Sequence, residues 1–406
     1  MKILCVFGQY NYGDRTRGLG YEYANFIPAL KNLGHEVIFF ESLDKSKYGD
    51  YVELNKTLLK FVMDEKPDII FFVLMTYEVW LETLRLIRQG TDAVLIQWAT
   101  DDSWKFDQFS RFISPSFDLY ATTYPSAIKK AQKLGQSNFV LSQWAACSES
   151  MDKPVPAKDC RYGVTFVGSM YGNRKKWVDE LIKRGINIRC FGYGWRNGPV
   201  EAEEIPEIIR HSVVSLNFGD SGLMLKGGKF EHNRQIKARV FEVPGAGGLL
   251  LTEPADDLEY FYKSDKEIVL FNSIDELCEK INYLLSHQDE RDAIALAGFT
   301  RTKREHTYEG RFKVLIEKAL EFRKHNPKTN RNLDLEQFDQ IKKTHKINFL
   351  HKMVRGCLVL PCILIWGKKR GPRAARRILF EISWRLLGHR TYSVKGLPGR
   401  LFYRAS

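Results

Sequence analysis

The chain has 406 residues, of which 44% are hydrophobic and 27% are charged, so it is long enough for two domains with full cores and a further segment. Its formal net charge of +13 is unevenly distributed, because residues 341–406 contain 16 lysines and arginines against one acid, Glu381, and residues 1–340 together carry −2. A nearly neutral body argues against a nucleic-acid-binding protein, in which the basic residues should cover a face of the folded part.

The seven cysteines are scattered, odd in number and include no C-x-x-C pair. This pattern indicates reduced thiols in a cytoplasmic setting and argues against a disulfide framework or a zinc site. The amino terminus, MKILCVFG, is too short for a signal peptide and leads directly into a polar loop. We therefore interpret it as the first strand of the fold.

The first half of the sequence begins with a predicted βαβ unit. Residues 2–7 form an apolar strand, 8–20 a glycine-rich polar loop, 21–33 a helix and 37–40 a second strand. The glycines of the loop do not spell the G-x-G-x-x-G fingerprint, which argues against a nicotinamide-dependent enzyme. Further strands, with helical segments between them, are predicted at 69–74, 93–98, 119–122 and 138–141.

The alternation of strands and helices stops in a linker, residues 148–162, which is rich in serine and proline and has no apolar periodicity. It then restarts with another strand, glycine loop and helix. The sequence therefore predicts an α/β fold with two Rossmann-like lobes facing a cleft. The predicted domains are an N-terminal lobe (1–147), a C-terminal lobe (163–325) and a basic amphipathic tail (326–406).

The stretch KARVFEVPGAGGLLLTEPADD, residues 237–257, is predicted to form a short helix, a glycine turn, a buried strand and an acidic loop. Asn233 is a plausible N-cap for the helix. Pro244 is expected to end the helix, since its ring cannot continue the hydrogen-bonding pattern. The stretch would thus bring a helix to the carboxyl edge of the second sheet.

The polar face of this helix carries Lys237, Arg239 and Glu242. In an open α/β sheet, ligands bind beyond the carboxyl ends of the strands, where helix N-termini also point. Two cations and one carboxylate there suit a diphosphate and a ribose, and an ordinary solvated helix with an i, i+3 charge pair is the alternative. Ser169 and Arg174, in the first loop of the second lobe, are further candidate phosphate donors.

Residues 241–312 carry a family pattern, with FEVPGAGGLLLTEP near the start and EHTYEGRF at the end. This segment resembles the carboxyl-terminal half of a GT-B glycosyltransferase, in the group-1-like family that includes the spore-maturation glycosyltransferase-like proteins. The resemblance implies that Glu242 binds the ribose hydroxyls of the nucleotide, and that Gly247 and Gly248 let the backbone approach it. Glu253, at the carboxyl edge of the next strand, is a further candidate for nucleotide-sugar binding.

One position departs from the family pattern. Many retaining members carry two glutamates separated by seven residues, but Arg234 occupies the first position relative to Glu242, and Glu231 lies three residues earlier. Retention and inversion of the sugar configuration therefore both stay open. There is no D-x-D in the chain, which argues against a metal-dependent GT-A enzyme, so no metal ligands are predicted.

A base for the acceptor would come from a loop at a strand end of the first lobe. Asp14 in the first loop and the pair Asp101 and Asp102 after the fourth strand are the choices. We predict Asp14, because that loop borders the cleft in GT-B proteins, although a lone aspartate in a loop is also a common turn former.

The tail contains an uninterrupted apolar run of 11 residues, 356–366, shorter than the ~20 residues that a transmembrane helix needs. Residues 373–387 combine a basic face with a face of Leu, Ile, Phe and Trp, which is typical of an interfacial helix on anionic lipid. We predict docking of residues 341–406 on the inner face of the cell membrane, with a helical hairpin packed on the body as the alternative.

Together these features predict a cytoplasmic, peripherally membrane-bound hexosyltransferase. It would use a UDP- or GDP-linked sugar as donor, a cell-surface polysaccharide or a lipid-linked molecule as acceptor, and neither a cofactor nor a metal nor a nucleic-acid partner. Two alternatives stay open: a nucleotide-sugar epimerase of the same fold, and a non-catalytic scaffold that binds a sugar nucleotide or lipid.

Overall fold

The computed structural model describes residues 1–226, 229–327 and 333–405, with the side chains of 223–232 and 405 outside that description. In this part of the chain, the first domain is built on six parallel strands in the order β2-β1-β3-β4-β5-β6. They are β1 (Lys2–Phe7), β2 (Glu36–Glu41), β3 (Ile69–Phe72), β4 (Val94–Ala99), β5 (Leu119–Thr122) and β6 (Phe139–Leu141).

The second domain has a parallel sheet of its own and an antiparallel hairpin. The strands are β7 (Tyr162–Val167), β8 (Ile188–Phe191), β9 (Ser212–Asn217), β10 (Asp220–Lys226), β11 (Lys229–Arg234), β12 (Leu250–Thr252) and β13 (Val269–Leu270). The sheet has the order β13-β12-β9-β7-β8, and β10 pairs with β11 outside it.

Helices cover the sheets and form the tail. The helices of the first domain are α1 (Tyr21–Asn32), α2 (Tyr51–Glu65), α3 (Leu81–Gly90), α4 (Asp102–Lys105), α5 (Arg111–Ile113) and α6 (Pro125–Lys133). Those that follow are α7 (Arg174–Lys183), α8 (Glu204–Arg210), α9 (Arg239–Gly245), α10 (Ile274–Ser286), α11 (Gln288–Glu305), α12 (Tyr308–His325), α13 (Leu335–Lys342), α14 (Phe349–Leu387) and α15 (Leu397–Phe402).

The predicted fold class is confirmed. Strands β3, β4 and β9 are buried along their whole length, as expected for parallel strands covered on both faces. The hairpin β10–β11 was not predicted, and Asn233, predicted as an N-cap, lies in β11. The helix begins only at Arg239, and Pro244 lies inside it instead of ending it; the missing N–H of the proline removes one intrahelical bond, one residue before the helix ends.

Helix α12 crosses back from the second domain and packs on the first sheet. Tyr308, Phe312 and Ile316 are buried among strands β1, β3 and β4, and the hydroxyl oxygens of Tyr21 and Tyr308 are 2.9 Å apart. At the crossing, the N–H of Ala146 donates to the carbonyl of His306 (2.9 Å) and the N–H of Tyr308 donates to Ala146 (3.1 Å). The two passages of the chain between the domains are thus bonded to each other, and the second domain ends near residue 307 in space, earlier than the predicted 325.

Much of the tail also packs on the first domain, on the opposite face of its sheet. Phe338, Tyr392 and Val394 belong to the same buried cluster as the residues of α2 and α3. The ring of Phe338 stacks on Trp80, with centroids 6.2 Å apart. The tail is therefore partly a structural layer of the first domain.

Helix α14 is bent back on itself. Gly367 has φ 76°, a left-handed conformation that interrupts the helix. A Cβ atom on Gly371 would lie 2.7 Å from the backbone of Ile363, so the segment after the bend packs tightly on the segment before it. We call residues 349–387 the helical hairpin.

By length and composition alone, the 44-residue helical segment Phe349–Tyr392 could cross a membrane, and 11% of its most apolar window is buried in the protein. No other helix in the described ranges meets that criterion.

Candidate functional site

A cleft of about 540 Å³ lies between the two domains, at the carboxyl ends of both parallel sheets. The first domain contributes the loop after β1, the start of α1 and the loop after β4. The second domain contributes the loop after β7, the start of α7 and the start of α9. Larger grooves occur elsewhere, but this cleft lies at the carboxyl edges of both sheets and brings carboxylates of the first domain opposite cations of the second, which marks it as the candidate site.

Lys237 is the side chain in the cleft whose charge is least compensated. It is half-buried and makes no hydrogen bond or ion pair within the described part of the chain. The pKa of Lys237 is lowered to about 8, chiefly by burial and in part by the neighbouring Arg174, while Asp101 and Asp220 act in the opposite direction. A half-buried lysine with a free ammonium group is a site for an anion.

Arg174, at the start of α7, forms the wall behind Lys237. Its guanidinium donates to the carbonyl of Ser169 (2.8 Å) and to the hydroxyl of Tyr171 (2.9 Å), and lies 3.8 Å from the centre of the Tyr171 ring. Burial lowers the pKa of Arg174, and the charge of Arg239 adds to the effect. Arg174 is therefore held rigidly in a region of positive potential.

Arg239 and Glu242 lie one turn apart on α9, and both line the cleft. Nη1 of Arg239 is 3.1 Å from Oε2 of Glu242, yet this buried nitrogen makes no hydrogen bond among the described residues. The two side chains thus form an ion pair without a well-aligned hydrogen bond, and the guanidinium of Arg239 keeps N–H donors for a ligand. Arg239 and Glu242 therefore form the i, i+3 ion pair of the alternative interpretation and also line the cleft.

Two carboxylates of the first domain face these cations. Glu22, in the first turn of α1, and Asp101, after β4, both line the cleft. Burial raises the pKa of Glu22, and the charge of Asp101 raises it further. Asp101 accepts a hydrogen bond from the hydroxyl of Thr100 (3.0 Å) and lies 3.7 Å from the ammonium of Lys105.

Glu22 was not among the residues singled out in the sequence. The signal was present, because it is the second residue of the helix that follows the first glycine-rich loop, and such a residue lies at the carboxyl edge of the sheet. Asp102, by contrast, is fully buried and accepts from the hydroxyl of Ser110, and burial raises its pKa to about 6.

Asp14, the predicted base, lies in an exposed 3₁₀ turn. Its Oδ1 accepts from the hydroxyl (2.7 Å) and the N–H (3.0 Å) of Thr16, and its Oδ2 is 3.5 Å from Nε of Arg17. The hydrogen bonds from Thr16 hold the pKa of Asp14 below its usual value, which makes this carboxylate a weaker base. Asp14 is not among the described residues that line the cleft, whereas Asn11 and Tyr12 of the same loop are.

The two predicted glycines face away from the cleft. Gly247 has φ 80°, and a Cβ atom there would lie 2.6 Å from the carbonyl oxygen of Asp152 in the linker. A Cβ atom on Gly248 would lie 2.5 Å from Cγ2 of Ile209. The close backbone approach that these glycines permit in this structure is to the linker and to α8. Ser169 follows the cleft-lining Gly168 and contributes its carbonyl to Arg174.

Glu253, directly after β12, makes two polar contacts at the carboxyl edge of the second sheet. One carboxylate oxygen accepts from the N–H of Gly219 (2.9 Å), and the other is 3.2 Å from Nε of Arg234. Arg234 is the residue that replaces the first glutamate of the family pair, and here it neutralises a buried carboxylate. The side chain of Glu231 lies outside the described residues.

Three polar contacts join the domains around the cleft. The hydroxyl of Ser103 donates to Oε1 of Gln235, the hydroxyl of Tyr124 is 3.5 Å from Oδ1 of Asn233, and the hydroxyl of Tyr193 is 3.4 Å from the carbonyl of Thr16. They fix the carboxylates of the first domain opposite the cations of the second. In the described ranges, no group of three or more His, Cys, Asp or Glu side chains is arranged to bind a metal.

Comparisons with known proteins agree with this geometry. Residues 174–317 match the family model described as glycosyl transferase-like. The structure is similar to that of a glycosyltransferase from Rickettsia africae ESF-5, with a TM-score of 0.56 and 13% sequence identity over 80% of this chain and 99% of that one. No curated protein matches the sequence.

Two further solved structures share the architecture. Sucrose-phosphate synthase from Thermosynechococcus elongatus gives a TM-score of 0.55 at 9% identity, covering 80% of this chain and 100% of that one. HepE from Anabaena, solved in complex with UDP-glucose, gives 0.52 at 12% identity, covering 78% and 99%.

The chain therefore has the GT-B fold of these glycosyltransferases. This confirms the resemblance found in residues 241–312, and the narrower likeness to the spore-maturation proteins stays a prediction. The family match begins at Arg174 and includes Lys237, Arg239 and Glu242.

Proposed function

We propose that this protein transfers a hexose from a UDP- or GDP-linked donor to a cell-surface polysaccharide or a lipid-linked acceptor, without a bound metal. The observation that carries the proposal is the convergence of Arg174, Lys237 and Arg239 on one side of the cleft, opposite two carboxylates of the first domain. The UDP-glucose bound to HepE, a protein of the same fold, supports a nucleotide sugar as the donor.

The cations would act on the leaving group. Negative charge grows on the diphosphate as the bond between the anomeric carbon and the phosphate oxygen breaks. Lys237 and Arg239 have free donors for that charge, and Arg174 adds a fixed positive potential behind them. Because these groups are half-buried or buried, their charges act with less screening than they would in water. The resemblance assigns Glu242 to the ribose hydroxyls, and its place in the cleft suits that role.

A carboxylate of the first domain would accept the proton of the acceptor hydroxyl as its oxygen attacks the anomeric carbon. We assign this role to Glu22, since burial and the neighbouring Asp101 make it a stronger base than an ordinary carboxylate. Asp101 would then hold Lys237 in its charged form. Asp14 stays a prediction with the weaker geometry.

The tail supports docking on the inner face of the cell membrane. The first segment of the helical hairpin exposes a continuous apolar face, with Leu360 65% and Leu364 87% exposed, and lysines and arginines flank it. Hydrocarbon would receive the apolar face, and anionic lipid would attract the basic residues at ~1 kcal/mol each. All seven cysteines are free, which fits a cytoplasmic protein.

The test is incubation of the full-length protein with a panel of labelled UDP- and GDP-sugars, with and without membrane extract as acceptor. Transfer releases free nucleoside diphosphate and leaves label on the acceptor. An epimerised nucleotide sugar would instead identify an epimerase, and donor binding without turnover would identify a scaffold. Arg239→Ala is expected to abolish release while Lys176→Ala, an exposed change on α7, leaves it unchanged.

A further inference from the structure

A second cavity of about 910 Å³ lies where the tail meets the first domain. Its walls are the N-terminus of α2, the segment that links α13 to α14, the first turns of the helical hairpin and helix α15. We call this cavity the basic groove. No described residue lines both the basic groove and the cleft, so the groove is a separate site.

Positive charge dominates the basic groove. Seven lysines and arginines line it against a single acid, Asp50. The carboxylate of Asp50 is already engaged, because it accepts the N–H of Glu53 (2.9 Å) as the N-cap of α2. Five of the cations form neither an ion pair nor a side-chain hydrogen bond within the described part of the chain. They are Lys343, Lys346, Lys352, Arg355 and Arg404.

Contacts within its wall fix the shape of the basic groove without neutralising the cations that line it. Arg400 donates to the carbonyl of Lys346, and its Nε is buried without a hydrogen-bond partner in the described residues. His345 is 3.0 Å from the carbonyl of Val394 and packs on the ring of Trp80, with centroids 5.0 Å apart. The cations are therefore presented by a rigid wall that is continuous with the core of the first domain.

The apolar face of the helical hairpin begins beside the groove. Phe349 is 76% exposed, Leu350 64% and Met353 50%. At about 100° per residue, Arg355 falls on the opposite side of the same helix and Lys352 on the flank of the apolar face, and both line the groove. A bilayer that received the apolar face would therefore bring lipid headgroups to the mouth of the groove.

We propose that the basic groove binds the phosphate of an anionic membrane lipid, with preference for a phosphomonoester or diphosphate headgroup over a phosphodiester. A terminal phosphate carries more charge and more free oxygens than a phosphodiester, so it can engage several of the five unpaired cations together. The inference rests on the membrane docking proposed above and is independent of sugar transfer.

The test is co-sedimentation of the full-length protein with phosphatidylcholine vesicles that contain either phosphatidic acid or phosphatidylglycerol, at matched total negative charge. The wild type is expected to prefer phosphatidic acid. The double variant Lys346→Gln, Arg404→Gln should bind phosphatidic acid vesicles about 30-fold more weakly and lose the preference, at about 5-fold per basic residue.

The matched control is Lys368→Gln, Lys369→Gln, which removes two exposed cations at the bend of the hairpin, outside the groove. It should weaken binding to both vesicles alike and retain the preference. Thermal unfolding checks that both variants are folded.

Three results would overturn the inference. The wild type would bind the two vesicles equally, or both double variants would lose the preference to the same extent. Alternatively, inorganic phosphate at an equal concentration would release the protein from phosphatidic acid vesicles, which would show that the ligand is a soluble anion. Binding to neither vesicle would refute the membrane docking itself, and donor turnover measured in parallel would report on the transferase proposal separately.

Discussion

Replacement of Lys237 by methionine should separate function from stability. The change keeps the length and most of the volume of the side chain and removes its charge. In the wild type, folding lowers the pKa of the Lys237 ammonium group from 10.5 to about 8. At about 1.4 kcal/mol per pH unit, keeping this group charged in the folded state costs about 3 kcal/mol of stability. Because Lys237 is only half-buried, solvent screening reduces this, and we expect Lys237→Met to stabilise the fold by about 1–2 kcal/mol at neutral pH.

The sign of the pH dependence follows from the lowered pKa. Between about pH 8 and pH 10.5 the unfolded state binds more protons than the folded state, so the stability of the wild type should rise with pH in that window. Below pH 8 both states are protonated and the destabilisation is fully present. In Lys237→Met this rise should disappear.

Function should change in the opposite direction. A hydrogen bond to a charged group contributes about 1.5–3 kcal/mol, so the Kd for the nucleoside diphosphate should rise about 10- to 150-fold. Turnover should fall by about 100-fold or more, since the charge lost is the one that faces the leaving group. In the wild type, the affinity should fall as the pH rises above about 8 and level off once it has lost the same factor of about 10 to 150, because only the charged lysine attracts the diphosphate.

Calorimetric titration with UDP and GDP, urea unfolding and donor turnover measure these quantities. The control is Lys176→Met, which removes an exposed lysine of α7 outside the cleft. If Lys237→Met binds the nucleotide as the wild type does and unfolds at the same urea concentration, the placement of Lys237 at an anion site is wrong.

Three further predictions concern the base and the tail. Glu22→Gln should lower turnover about 100- to 10,000-fold and leave donor affinity within about 2-fold. In the wild type, the rising limb of the pH–rate profile should lie above the range of an ordinary carboxylate, since burial raises the pKa of Glu22. An unchanged turnover in Glu22→Gln would exclude this residue as the base. Gly371→Ala should destabilise the protein by about 1–3 kcal/mol because its Cβ would meet the backbone of Ile363, whereas Gly356→Ala, with open space around it, should be neutral or slightly stabilising in urea unfolding. Leu364→Glu, at a site that is 87% exposed, should weaken sedimentation with anionic vesicles and leave the melting temperature unchanged, and retained sedimentation would contradict an inserted apolar face.

The structure also changes how the tail should be studied. Deletion of residues 341–406 would be the obvious test of membrane docking from the sequence. Tyr392, Val394 and Tyr403 are buried in the core of the first domain, however, so that deletion would expose apolar surface and destabilise the fold. Point changes on the exposed face, such as Leu364→Glu, avoid this problem.

The sequence by itself determined the two parallel sheets, because their strands are apolar runs separated by amphipathic helices, and that pattern is local. It also placed Lys237 and Arg239 near Glu242, since Arg239 and Glu242 lie on one short helix and Lys237 precedes that helix by two residues. The glycines Gly247 and Gly248 show the limit of such reasoning. A glycine indicates that something approaches closely, and only the tertiary structure shows that the neighbours are the linker and Ile209.

The tertiary structure alone decided the partners of these residues across the cleft. Glu22 and Arg174 are 152 positions apart in the sequence, and no periodicity connects them. They line one cleft because two separate sheets turn their carboxyl edges toward each other and a returning helix, α12, bonds the domains together. The same holds for the basic groove, whose cations come from three tail segments that the first domain brings together by burying their apolar faces.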